Sequence, residues 1–108
     1  MNVSDFRNAV LAIGASAGTF KIFIKGGIGF TSPTFSSGKS ISNRWDFIDV
    51  VDLEDGASID GDTGIVFTGA DTRLVEINVN SIDWLAINLT AITVAATVSA
   101  EIGLTTNE

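Results

Sequence analysis

The densest concentration of reactive side chains runs from Asp52 to Gly64, where Asp52, Glu54, Asp55, Asp60 and Asp62 place five carboxylates in a glycine-punctuated stretch. Calcium takes six to eight hard oxygen ligands, and acidic loops supply them, so Asp55, Asp60 and Asp62 are the candidate metal ligands. Their spacing departs from the helix–loop–helix calcium pattern. Counting from Asp60, Asp62 fits, but Gly64 stands where a third oxygen ligand belongs and Ile65 where the sharp-turn glycine belongs. The competing reading is two successive turns, Asp55-Gly56 and Asp60-Gly61, with the aspartates bonding their own backbone. A carboxylate pair also suits glycoside hydrolysis, yet a chain of 108 residues leaves little for a cleft around it. Trp45 and Trp84, with Asp46 and Asp83 beside them, are the candidates for stacking sugar rings, against core or interface packing.

Other chemistries are excluded by composition. The chain has no histidine, cysteine or tyrosine. That removes the Ser–His relay, thiolate and imidazole metal sites, disulfides and the usual general base near neutrality. The expectation is therefore a protein that is not an enzyme and carries no cofactor. Thirteen acidic against six basic residues give a formal charge of -7, and the bases at Arg7, Lys21, Lys25, Lys39, Arg44 and Arg73 are scattered. A nucleic-acid partner, which demands clustered Lys and Arg, is not expected. Gly26-Gly27-Ile28-Gly29 lacks the Lys-Ser/Thr pair of a phosphate loop.

The elements that must hold these residues are strands. Val75, Ile77 and Val79 share one face of a run starting near Arg73; Leu85, Ile87 and Leu89 share a face of the next; Val94 to Leu104 alternates likewise. A two-residue period over three runs reads as half-buried strands, which need a second layer to cover them. Leu85 to Leu104 is long enough to span a bilayer with Glu101 as its sole charge, but its alternation favours strands, and no membrane partner is expected. Met1 to Arg7 lacks the basic start and apolar run of a signal peptide.

Earlier in the chain, Asn8–Ile13 and Thr19–Lys25 read as a hairpin, with Phe20, Ile22 and Ile24 inward and Lys21 and Lys25 outward beside Phe23. Arg44–Leu53 reads as one strand with apolar residues on both faces, suited to a place between layers or a subunit boundary. Ile65–Phe67 is a short strand after the acidic loop at 54–64. The whole, residues 1–108, is expected to be a single all-β domain. Its architecture is a two-sheet antiparallel β-sandwich, jelly-roll-like or Ig-like, of about seven to eight short strands. A Gly/Ser-rich loop at 26–42 interrupts it. A loop of that length in a compact domain either docks on a partner or is pinned to the body, here by Phe30 and Phe35.

The segment Ser42 to Gly64, with Asn43-Arg44-Trp45-Asp46 and Gly61-Asp62-Thr63-Gly64, resembles small virion proteins of tailed bacteriophages, as does Val75 to Ala91. The chain departs from them at 93–97, where similar proteins often carry glycine. The resemblance implies a head decoration (cement) protein that clips onto the major capsid protein, often as a trimer, after synthesis in the host cytoplasm. A tail or fibre-base module binding carbohydrate or a host surface is the neighbouring possibility. On this reading the partner contacts fall on Phe30, Pro33, Phe35, Trp45 and Trp84 and on the terminal segments. Asn8–Ile13 is then an unpaired edge strand free to join a neighbour's sheet.

Overall fold

The computed structural model describes residues 1–35, 39–90 and 97–106. Among the described residues, nine strands run in chain order: β1 (Asn8–Ala15), β2 (Thr19–Gly27), β3 (Trp45–Phe47), β4 (Val50–Asp52), β5 (Ser58–Ile59), β6 (Ile65–Thr68), β7 (Asp71–Asn78), β8 (Trp84–Thr90) and β9 (Val98–Thr105). They form two packed antiparallel sheets. One has the order β5-β4-β7-β1-β9; in the other, β2 pairs with β8 along one side and with β3 and β6 along the other. The sandwich expected from the two-residue period is present.

Alternation decides what lies between the sheets. From β1 come Ala9, Leu11 and Ile13, from β2 Phe20, Ile22 and Ile24, and from β7 Val75 and Ile77, all buried. Phe20 stacks on Phe67 of β6, with ring centroids 4.7 Å apart and planes 9° from parallel. Offset stacking of two buried rings adds about 0.5–1.5 kcal/mol beyond the area they hide.

Three expectations are corrected. β1 and β2 do not form a hairpin. β1 pairs with β7 and β9, β2 with the opposite sheet, and the turn at 16–18 crosses between layers, with Gly18 at φ 92°. Both strands bury one face, and that pattern is the same whether neighbours pair or face each other across a core. For the same reason Asn8–Ile13 is no free edge: β1 is flanked on both sides.

The third correction concerns Arg44–Leu53, which is divided. β3 belongs to one sheet and β4 to the other, and the chain changes layer at Ile48-Asp49. Ile48 donates its N–H to the Ile24 carbonyl (2.9 Å), and the Asp49 carboxylate accepts the Gly61 N–H (2.7 Å). A Cβ on Gly61 would lie 2.8 Å from the Ile48 backbone, so the acidic loop closes tightly over the crossover. Apolar residues on both faces of this run thus reflect a strand that serves two sheets. Of the last run, the residues from Val94 to Ala96 lie outside the described ones, and pairing begins at Val98.

Candidate binding surface

Two glycines at the end of β2 shape the loop beyond it. Gly26 points to the inner face, where a Cβ would collide with Ile48 and Ile82; Gly27 points outward, where it would collide with Pro33. Register places Gly27 opposite Trp45 on one neighbour and Trp84 on the other. Pro33 therefore fills the notch above a residue with no side chain, and Phe35 follows it onto the same spot.

The outer face of β2 and β3 becomes a small second core. Phe35 tilts against Trp45 (5.8 Å), Trp45 meets Phe47 edge-on (5.5 Å), and Phe47 meets Phe23 (5.5 Å). Lys25 is buried among them. Its ammonium sits 4.6 Å from the Trp45 ring centre and 3.5 Å from the Phe35 carbonyl. An ammonium over an indole face is held by the ring quadrupole, which offsets part of its lost hydration. The outward Lys25 expected from the strand pattern is on the expected face but is covered by the loop. Trp45 is only 5% exposed, so it offers no platform to a sugar, and its indole N–H is buried without a hydrogen-bond partner among the described residues.

Further out, the loop is braced at Gly29. Its N–H is accepted by the Asp83 carboxylate (2.8 Å), its carbonyl accepts the Trp84 indole N–H (3.1 Å), and the Arg44 guanidinium occupies the space a Cβ would need. Gly29 has φ 123°, which suits glycine alone. Arg44 itself is left-handed at φ 63°, and a second guanidinium nitrogen reaches the Thr31 hydroxyl (3.3 Å). The residues on either side of these braces are bare: Phe30 is 104% exposed and Ile41 96%, with Ile28 also exposed. Ile28, Ile41 and Ile82 line, with Trp45, Lys39, Arg44 and Asp46, a groove of about 680 Å³.

Of the expected contact residues, then, Pro33 and Trp45 are buried in the outer core, and Phe35 and Trp84 are half-buried. Phe30 does not pin the loop; Pro33 and Phe35 do, because Gly27 gives them a seat and Phe30 has none. Gly29, Arg44, Ile28 and Ile41 were not expected as site residues, and Asp83, the one that carried a signal, was expected only as the acid beside Trp84.

The acidic loop follows the turn reading. The Asp55 carboxylate accepts the Ala57 N–H (2.9 Å), that of Asp60 accepts the Asp62 N–H (2.9 Å), and Asp62 pairs with Lys39 (3.5 Å). Among the described residues no three acidic side chains gather as a metal site. Nor is any helix among them long and apolar enough to cross a membrane. Compared with family models, curated proteins and solved structures, the chain finds no match.

Proposed function

We propose that this chain is a structural component of a tailed-bacteriophage particle, a decoration protein that grips the outer shell through Phe30 and the exposed apolar residues Ile28 and Ile41 beside it. The observation that carries the reading is Phe30. A phenylalanine held wholly in solvent next to Gly29, whose N–H and carbonyl are bonded by Asp83 and Trp84, loses less loop entropy on docking than one on an unbraced segment. Ile28 and Ile41 extend the apolar area beside it, and buried aromatic anchors dominate interface energetics. The resemblance of the Ser42–Gly64 segment to phage virion proteins supplies the particle as the partner. Many copies bridging shell subunits would add modest contacts into a large effect.

The test is co-sedimentation of the purified chain with shells assembled without it. Wild type is expected to saturate in proportion to the shell subunits, and Phe30→Asp, which leaves the fold intact, to lose binding. Equal binding by both overturns the proposed contact. A copy number near that of a tail tip, counted by mass spectrometry of purified particles, favours the tail reading instead.

A further inference from the structure

The edges of this sandwich are guarded unequally. β5 is two residues long, β3 is bridged by Ser40, and the start of β8 is paired by residues 1–3. β9 is eight residues long, ends its sheet, and carries no lysine or proline, with Glu101 as its one charge. Nothing among the described residues bonds its outer side. A long, flat, open edge is a template for another strand.

The ladder fixes which groups are free. Ser16 donates to the Thr97 carbonyl (3.0 Å), so residues 97, 99, 101, 103 and 105 turn their backbone toward β1. Val98, Ala100, Ile102 and Leu104 turn theirs outward, and these also carry the inner-face side chains. Beneath the edge, the sandwich wall is greasy. Ile87 and Leu89 of β8 pair with Ile24 and Ile22 and so share the core face, yet they are 38% and 40% exposed. The short connections at 48–49 and 69–70 hold β3 and β6 over β4 and β7, which puts β8 on the same side of the sandwich as β9.

We infer that β9 pairs with β9 of a second copy, antiparallel about a two-fold axis at Ile102, joining two five-stranded sheets into one. The sequence complements itself in that register. Glu101 faces Gly103 of the second copy, Ala100 faces Leu104 and Ser99 faces Thr105: charge meets an open site, small meets large, hydroxyl meets hydroxyl. A Cβ at Gly103 would have open space around it. The register centred on Glu101 sets like charges directly opposite, which is destabilising, and an odd shift would turn inner faces outward. The two-fold also brings the β8 edges together, so the bare Ile87 and Leu89 of both copies cover one another. The inference does not rest on the virion reading, and its contact closes as a dimer.

Light scattering on a sizing column tests it. Wild type is expected at twice the 11.3 kDa chain mass. Gly103→Glu places two symmetry-related carboxylate pairs across the seam and should raise the dimer dissociation constant by about tenfold or more. Glu101→Lys combined with Gly103→Glu should restore it. Ala100→Pro, which removes an outward N–H, should give monomers, with circular dichroism showing the strands of every variant intact. A wild-type monomer up to the solubility limit, a trimer, or a Gly103→Glu dimer as tight as wild type overturns the pairing.

Discussion

Gly29 and Gly69 separate two effects usually entangled in a glycine. Both have strongly positive φ, 123° and 127°, but a Cβ at Gly69 meets nothing, whereas one at Gly29 enters the Arg44 guanidinium. Gly69→Ala is expected to cost about 1 kcal/mol from backbone strain alone. Gly29→Ala should cost about 1–3 kcal/mol and loosen the loop, because Arg44 must leave the Thr31 hydroxyl as well. Urea denaturation of both variants reads the difference, and equal losses would show that Arg44 braces nothing. Trp45 offers a second contrast. Its indole N–H lacks a partner among the described residues while its ring packs against Phe35, Phe47 and Lys25. Trp45→Phe discards the orphan donor and keeps much of the packing, so a loss under about 1.5 kcal/mol is expected, against about 3–5 kcal/mol for Trp45→Ala. A large loss in the phenylalanine variant would mean the indole makes a bond that matters.

At the scale of elements, the acidic loop is a structural clasp. Its carboxylates accept N–H groups of the turns they sit in, and the Asp52 carboxylate both accepts the Glu54 N–H (2.9 Å) and approaches Arg73 (3.6 Å). Among the described residues these carboxylates do not converge on a common point, so they offer a cation no shared set of ligands. The thermal midpoint is therefore expected to be the same with and without a chelator; a fall of several degrees on chelation would point to a bound cation. Gly61→Ala, by contrast, should destabilise strongly, since its Cβ would press on the Ile48 backbone at the layer crossover. How far the sequence could be read follows from the same geometry. Period-two alternation reveals which residues a strand buries, so Phe20, Ile22, Ile24, Val75 and Ile77 were legible. It is blind to which strand lies alongside, so the β1–β2 hairpin and the free edge at Asn8–Ile13 were misread. The 26–42 loop was legible as an element, but its seat on Gly27 depends on register with Trp45 and Trp84, residues distant in sequence. Exposure of Phe30 and Ile41 has no local signal at all, because the same apolar residues would serve equally as pins.

Over the whole molecule, stability and solubility meet at the two ends of β8. Its start is sealed by the N-terminal segment: Met1 and Leu85 exchange backbone bonds (3.0 and 2.8 Å), and Val3 donates to the Asp83 carbonyl (2.7 Å) while its side chain is fully buried in the core. Three residues thus close a sheet edge and plug one end of the sandwich, and two substitutions separate the roles. Val3→Ala leaves the backbone pairing and removes two buried methyl groups, so a loss of about 1–3 kcal/mol in denaturant is expected with no change in association state. Val3→Pro removes the N–H that pairs with Asp83, and the opened edge continues along β8 toward the bare Ile87 and Leu89. That variant should lose more stability and, on mild heating, form large assemblies seen by light scattering while Val3→Ala remains at its original size. If both variants aggregate alike, the N-terminal segment acts only as a plug, and the β8 edge needs no guard.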